Sequence, residues 1–486
     1  MIPLRNLIGG QWVDRHPLET LDIVDPASEQ TIALLPLSTP AEIDAAVESA
    51  SEASRAWSAM SVHDRVDALL RVADVLERHV AELAQLEERD MGRPAAAGEQ
   101  WIRGAIAGFR RDVRLALRYR FTRVSDDPST TVVRRPLGVA AVIIPWNFPI
   151  NTMLTSLGAL LAAGNTVVFK PSEKASLSTV RVAELMELPA GVVNVILGDG
   201  RAGTAVSEHP KVELTYFTGS VRSGIAVATA GAQRLHRVIL ELGGKDPVIV
   251  DSGVDVAAAA RDVARGAFTN TGQICTSMER IYVHQDVATE FVDELTAEAS
   301  RYGPSGSSSQ VQIGPMVDRA QRDIVAAHVE DAVAHGAVVR VGGTVPQGPG
   351  YWYPATVLTD VTDEMTVMSE ETFGPLAPVQ VVADFAEGVA RATVSSYGLA
   401  ATVYTEDPDH IALAVKQLAA AIVWVNKWQG ASSEAVYEPA GASGMTAVGH
   451  FASYDAATRP TSIVSTTPAC PPLTDQGATM PAVDLQ

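Results

Sequence analysis

Thr166-Val167-Val168-Phe169, followed by Lys170-Pro171-Ser172-Glu173, is the stretch on which the fold turns: apolar and β-branched residues, then a loop marked by a proline. Such a run reads as a short buried strand that stops where proline withholds a backbone donor. The arrangement recurs on both sides. Gly138 to Ile144 precedes Pro145-Trp146-Asn147-Phe148-Pro149, Val192 to Leu197 precedes Gly198-Asp199-Gly200, and Leu214 to Phe217 precedes Thr218-Gly219-Ser220. Strand, loop and helix in alternation predict an α/β protein built on a parallel, doubly wound sheet. A second α/β series begins near Lys245-Asp246-Pro247 and continues to about residue 440, which sets a boundary near residue 243.

Upstream, the segment from Pro40 to Arg93 is rich in Ala, Glu and Arg, with apolar residues three and four apart, and predicts amphipathic helices. Thr130-Thr131-Val132-Val133-Arg134-Arg135-Pro136 is β-branched and predicts a strand ending at its proline. Thr466 to Gln486 is rich in Pro, Thr and Ala and reads as a loose tail.

Composition bounds the function. A chain of 486 residues, 47% hydrophobic and 19% charged, can bury a large core and is not a disordered polymer. The 37 basic and 57 acidic residues give a net charge of −20, which repels polyanions and argues against nucleic acid as a partner. Met1-Ile2-Pro3-Leu4-Arg5-Asn6 lacks a basic segment followed by an apolar one, and no run of the chain is as apolar as a membrane span. The expectation is a cytoplasmic protein with no membrane partner. Two cysteines make no disulfide framework, and Cys470 has no metal-ligand spacing around it, so no metal site is expected.

Five places carry candidate chemistry. Cys275 follows Asn270-Thr271-Gly272-Gln273-Ile274, and Glu241 opens Glu241-Leu242-Gly243-Gly244-Lys245. A thiol and a carboxylate framed by glycines suit covalent catalysis on a carbonyl, although most unpaired cysteines are inert core residues. Reactivity at Cys275 calls for a lowered thiol pKa, as backbone amides at a helix start would give. In Pro145-Trp146-Asn147-Phe148-Pro149, the two prolines fix the backbone around an amide able to donate to an oxyanion, or else Trp and Phe are core and Asn a turn residue. Gly219-Ser220-Val221-Arg222-Ser223-Gly224 places glycine and serine where a helix N-terminus meets a phosphate, or where a turn needs a small residue. Lys170 and Glu173 lie where open α/β sheets bind ligands, or form a solvated charge pair.

Together with Phe217-Thr218-Gly219-Ser220 and Glu370-Glu371-Thr372-Phe373-Gly374-Pro375, these motifs, in order and spacing, strongly resemble the aldehyde dehydrogenase superfamily from Ile8 to about Val464. The resemblance implies that Cys275 adds to the aldehyde, that the Asn147 side chain and the Cys275 amide hold the oxyanion, and that Glu241 activates the water that releases the acid. It implies that Lys170 and Glu173 hold the adenosine ribose, Ser220 the pyrophosphate, and Glu371 with Phe373 the nicotinamide riboside. Ile144, Trp146, Ser172, Phe217, Gly219, Leu242 and Gly243 complete the implied cofactor site. NAD is favoured over NADP, because Glu173 opposes a 2′-phosphate. The implied architecture is a Rossmann-type NAD-binding domain over 1–120 and 137–243, and an α/β catalytic domain over 244–440. Small bridging strands at 121–136 and 455–468 imply a homodimer or homotetramer, and 469–486 remains the tail.

The chain departs from the family pattern in two places. Ser156 stands where many members carry Lys, and Pro439-Ala440-Gly441-Ala442-Ser443-Gly444-Met445-Thr446-Ala447-Val448-Gly449 replaces the usual glycine-rich run after a longer loop. Gly272-Gln273-Ile274-Cys275-Thr276-Ser277-Met278-Glu279-Arg280 looks like the version in aryl-aldehyde branches, and Trp428 and Tyr437 offer either stacking surfaces or packing. Two alternatives remain beside a hydrolytic enzyme: one that hands the thioester to coenzyme A, and a non-catalytic member. Glu241 separates the first two, since a deacylating base suits water.

Overall fold

A computed structural model describes residues 2–13, 19–126, 129–430 and 434–465. Cys470 and the tail from residue 466 onward lie outside the described residues, as do positions 431–433 of the loop before Pro439. Among the described residues no helix is long and apolar enough to cross a membrane.

Two parallel sheets organise the molecule. The first has its five parallel strands in the spatial order Arg237–Glu241, Val212–Thr218, Val139–Ile143, Thr166–Lys170 and Val193–Val195. Leu7–Ile8 and Gln11–Trp12 extend one edge, and Gly444–Met445 runs antiparallel along the other. Val139–Ile143 and Thr166–Lys170 are buried at every position, as strands covered on both faces must be. Alternate residues serve opposite cores. Ala140, Val142 and Tyr216 pack toward the helices Pro149–Ala162 and Ala95–Leu115, while Ala141, Ile143 and Phe217 pack toward Pro40–Ala59 and Gly200–Ser207.

The helical segment from Pro40 divides into Pro40–Ala59, Val62–Arg78 and Val80–Met91. Thr39 and Glu42 cap the first reciprocally. Gly92, at φ 86, ends the third in the left-handed conformation that favours glycine. Thr20–Asp25 and Gln30–Pro36 do not join the first sheet but pair in a separate three-stranded one.

The second sheet orders Val338–Val341, Thr356–Thr359, Leu376–Val382, Met278–His284, Asp246–Val250, Ala400–Tyr404 and Ile422–Val425, the first of these antiparallel to its neighbour. Its last strand ends at Val425, and the chain then returns to the first sheet through Gly444–Met445. Thr122–Val124, Thr130–Pro136 and Thr458–Val464 form a third, three-stranded sheet. The bridging strand expected over 455–468 is shorter: residues 455–457 finish the helix His450–Ala457, and the strand starts at Thr458.

The two large sheets meet end to end with opposite polarity. Glu241 is the last residue of a first-sheet strand, and Asn147 follows the carboxyl end of Val139–Ile143. Cys275 precedes the amino end of Met278–His284, and Glu371 and Phe373 precede that of Leu376–Val382. The neighbours of Val139–Ile143 continue the chain in opposite directions, which makes the loop holding Asn147 the switch point where such sheets open a crevice.

Candidate active site

The loop before Cys275 is held in an uncommon shape. Asn270, Thr271 and Gly272 have φ values of 53°, 58° and 69°, three successive left-handed residues. For the two that carry side chains this costs about 1–3 kcal/mol each, so surrounding bonds must impose it. Thr271 Oγ1 donates to Gly314 O at 2.8 Å. Asn270 Nδ2 donates to Asn147 O and to Gln273 O, both at 3.2 Å. The Gln273 side chain donates to Asn270 O at 3.1 Å and accepts from Val317 N at 2.9 Å. Gly272 leaves no alternative residue, since a Cβ there would collide with the Gly374 carbonyl.

Beneath this loop lies a buried ion pair. Arg93 Nη1 meets Glu87 Oε2 at 2.8 Å, with both side chains almost wholly covered. Arg93 Nε donates to Asn270 Oδ1 at 3.1 Å, Nη2 donates to Asn147 O, and the guanidinium lies 4.2 Å from the Phe148 ring centre. Glu87 Oε1 also accepts from Ile150 N at 3.3 Å. One cation therefore ties the Cys275 loop to the Asn147 loop. Asn147 completes the link, its Nδ2 donating to Gln273 O at 3.0 Å. That bond uses one of the two amide hydrogens.

Opposite stands Glu241-Leu242-Gly243-Gly244-Lys245. Gly244 N donates to Glu371 Oε1 at 3.0 Å, and a Cβ at Gly243 would collide with the Glu371 carboxylate. Lys245 Nζ pairs with Glu279 at 2.6 Å, and Glu279 accepts from Thr372 N at 2.8 Å and Phe373 N at 2.9 Å. The Glu371-Thr372-Phe373 segment is thus fastened to the glycines by a buried pair. The altered segment fixes Glu241 itself: Gly444 pairs with Glu241, and Ser443 O accepts from Leu242 N at 2.8 Å. Glu241 Oε1 is buried and has no hydrogen-bond partner within the protein. Burial pushes its carboxyl up to about 8, and Glu371 likewise rises to about 8.

These parts surround a cavity of about 370 Å³. Asn147, Ile274 and Cys275 line it beside Trp101 and Phe148, whose rings meet edge to face at 4.9 Å. Gly219, Ser220, Leu242, Gly243, Glu371 and Phe373 line the other side, where Phe373 and Trp146 meet at 5.5 Å. Glu371 is the one charged side chain among these lining residues. Glu241 does not line the cavity, although Leu242 and Gly243 next to it in the chain do.

No helix starts at Cys275, so backbone amides of that kind do not lower its pKa. A 3₁₀ turn over Thr269–Gly272 precedes the thiol and a strand follows it. Burial raises the thiol pKa first, and Asp246, Glu371 and Glu241 raise it further, to about 12. The thiol rests protonated among carboxylates, the reverse of the lowered pKa that the sequence reading called for.

The remaining cofactor candidates sit at the carboxyl ends of the first sheet. Ser220 caps the helix Val221–Arg234, accepting from Ser223 N. Phe217 is buried beneath Gly219, where a Cβ would meet its ring. Lys170 Nζ donates to Pro171 O at 2.8 Å and lies 3.6 Å from Glu173. Ser172 Oγ accepts from Lys174 N at 3.2 Å. Ile144, Lys170, Ser172, Glu173 and Phe217 do not line the cavity that holds Cys275.

Trp428 and Tyr437 are packing residues. Trp428 is buried, donates through Nε1 to Thr276 O at 3.0 Å, and carries Arg265 on its ring face at 5.1 Å. Tyr437 pairs through its backbone with Val448. Sequence reasoning missed Glu87, Arg93 and Trp101, which come from helical segments far from the recognised motifs. Asn270 and Gly272 did carry a signal, because Asn and Gly are the residues that best tolerate left-handed backbone.

The profile of the aldehyde dehydrogenase family matches residues 12–463. A phenylacetaldehyde dehydrogenase of Pseudomonas fluorescens is 38% identical over 449 residues, covering 87% of this chain and 88% of its own. The crystal structure of a putative aldehyde dehydrogenase from Burkholderia cenocepacia superposes with a TM-score of 0.90 at 33% identity, covering 96% of this chain and 99% of its own. An aldehyde dehydrogenase from Bacillus cereus, solved as its NAD+ complex, gives 0.90 at 31% identity, covering 95% of this chain and 96% of its own. With the same order of motifs set around one cavity, the chain belongs to the aldehyde dehydrogenase family and is an oxidoreductase that acts on an aldehyde with a nicotinamide cofactor.

Proposed function

We propose that this protein oxidises a neutral, aromatic or hydrophobic aldehyde to its carboxylic acid, with NAD as acceptor and water as the final nucleophile. The observation that carries the reading is the convergence of Cys275, Asn147 and Glu371 on one cavity, with Glu241 near enough for its charge to act on the thiol. The cofactor fits the residues present. Gly243 and Gly244 let the Glu371 carboxylate close in on the backbone, Ser220 opens a helix N-terminus suited to phosphate, and Glu371 and Phe373 border the space for a ribose and ring. When bound, the nicotinamide supplies a two-electron acceptor.

The thiol of Cys275 passes its proton to solvent water as its sulfur bonds to the aldehyde carbon. The charge that develops on the carbonyl oxygen meets the Asn147 amide, whose orientation is set by its bond to Gln273 O. Loss of hydride from that carbon leaves a thioester on Cys275. Glu241 takes a proton from water as the water oxygen adds to the thioester carbon; the C–S bond then breaks and frees the acid. A carboxyl group near 8 is poised for that transfer at neutral pH.

Lys170 and Glu173 suit an adenosine ribose, and the Glu173 carboxylate opposes a 2′-phosphate, which supports NAD over NADP. The Trp101–Phe148 pair and the lack of a cation among the lining residues favour an uncharged, ring-bearing aldehyde over a carboxylated one. A homodimer or homotetramer, joined through the edge strand Thr458–Val464, belongs to the same reading. The test is NADH formation with aliphatic, aromatic and carboxylated aldehydes, repeated with NADP and with Cys275→Ala. A Cys275-dependent signal strongest with NAD and aromatic aldehydes is expected; turnover that survives Cys275→Ala would remove the covalent mechanism.

A further inference from the structure

The chain that leaves the last strand of the second sheet brings an amide into the Cys275 cavity through a strained turn. Gln429 has φ 58°, in the left-handed region where a residue with a side chain is strained and glycine is not. Gly430 beside it, at φ 88°, meets the same demand with the residue that suits it, whereas position 429 carries a long amide.

Trp428 imposes the turn. Its backbone N donates to Asp262 Oδ2 at 2.6 Å, its Nε1 donates to Thr276 O at 3.0 Å, and its carbonyl accepts from Arg265 Nη2 at 2.8 Å. Asp262 is steadied in turn by Tyr404 Oη, which donates to Oδ2 at 2.7 Å. With Trp428 pinned at its nitrogen, its ring and its carbonyl, the direction in which Gln429 leaves is fixed.

That direction leads to the nucleophile. Gln429 and Thr276, the residue after Cys275, both line the cavity, and Gln429 Nε2 donates to Thr276 Oγ1 at 3.3 Å. The bond is long and engages one of the two amide hydrogens. The second amide hydrogen, the amide oxygen Oε1 and the Thr276 hydroxyl proton are left for a ligand, so the pair offers both donors and an acceptor.

The oxidation itself does not call on these groups. Asn147 meets the oxyanion and Glu371 borders the cofactor, while Gln321, the other glutamine of the lining, donates to Thr372 O at 3.0 Å and Phe373 O at 3.3 Å. Trp101, Phe148 and Ile274 supply apolar wall beside the thiol. A ring seated among them buries whatever polar substituent it carries, which is unfavourable unless that substituent finds a partner. A few placed polar groups in a mainly apolar site are what select one substituted ring over another.

We propose that Gln429, paired with Thr276, determines specificity by hydrogen-bonding a polar ring substituent, so that the substrates are aromatic aldehydes bearing a hydroxyl or ether oxygen. The inference rests on the reading of the protein as an aromatic-aldehyde oxidising enzyme and narrows it. A hydroxyl donates to Oε1, and an ether oxygen accepts from the free amide hydrogen.

The test measures kcat/KM for NADH formation with benzaldehydes carrying hydroxyl, methoxy or methyl at the 3- or 4-position, methyl being the apolar reference of similar size. Wild type is compared with Gln429→Met and Gln429→Glu in the full chain. Dividing each ratio by that of the wild type cancels the substituent's own effect on the carbonyl. At the preferred position, Gln429→Met should lower the hydroxyl-to-methyl and methoxy-to-methyl ratios by about tenfold, the size of one or two hydrogen bonds. Gln429→Glu should keep the hydroxyl ratio and lose the methoxy ratio, because a carboxylate accepts from a hydroxyl and has no hydrogen to give an ether. Wild-type ratios in Gln429→Met, or a Gln429→Glu protein that treats the two substituents alike, would overturn the proposal; should Gln429→Met not fold, Gln429→Glu decides alone. No Cys275-dependent NADH from the wild type with any of these rings would instead remove the aromatic reading beneath the inference, a failure seen before any variant is made.

Discussion

The two reactive groups of this site are held in opposite ways. The Cys275 loop is fixed from every side: three left-handed residues, a buried Glu87–Arg93 pair, and side-chain bonds from Asn270, Thr271 and Gln273. Glu241 ends a strand, with a carboxylate oxygen, Oε1, that no protein group bonds. The difference follows from the chemistry each must do. A nucleophile gains most from a single near-attack position, where a displacement of about 1 Å costs roughly 10²-fold in rate. A base that activates water must be free to turn its oxygens to that water, which a fully bonded carboxylate could not do.

The sharpest way to break the contrast is Arg93→Met. It strands Glu87 in a buried site and releases the Asn147 and Asn270 loops together, so unfolding stability should fall by about 3–5 kcal/mol, read from denaturant melts, with NADH formation lost in parallel. A stable, active Arg93→Met protein would show that the loop needs no such brace. Glu241→Gln should do the reverse: steady turnover drops by about 10²–10⁴-fold while a single burst of NADH remains and melting is not lowered.

Separate motifs of the site were legible from the sequence, and their bracing was not. Cys275, Asn147, Glu241 and Glu371 stand in short runs whose glycines and prolines mark them, and strand-loop-helix alternation was enough for both parallel sheets. Glu87 and Arg93 lie in an ordinary Glu- and Arg-rich helical stretch, where nothing local separates a buried charge from a solvated one. The segment from Pro439 to Gly449 read as a departure from a pattern; only strand pairing reveals that it clamps Glu241. The thiol pKa was not legible for the same reason, since Asp246, Glu371 and Glu241 converge on Cys275 from different elements.

A subtler separation lies in pH. Glu241 is raised from 4.5 to about 8 by burial, so between those values the folded protein holds a proton that the unfolded chain releases. Its effect on stability is therefore increasingly unfavourable as pH rises through that window, while deacylation, which needs the ionised base, speeds up. Melting of Glu241→Gln against wild type across pH should show the variant gaining relative stability toward pH 8; parallel curves would mean that Glu241 is ionised throughout. The smallest effect is expected at Trp101→Leu, which removes the edge-to-face partner of Phe148. It should raise KM for aromatic aldehydes by about three- to tenfold relative to aliphatic ones and leave the burst rate unchanged.

The pairing of Gly444 with Glu241 also bears on how the protein comes into being. The strand carrying Glu241 gains its last neighbour only from residues more than two hundred positions later in the chain. Contacts of such separation form late, after the intervening sheet has closed its own core. During synthesis the cofactor half can therefore collapse early, yet its carboxylate strand stays an open edge until the whole second half has emerged and folded.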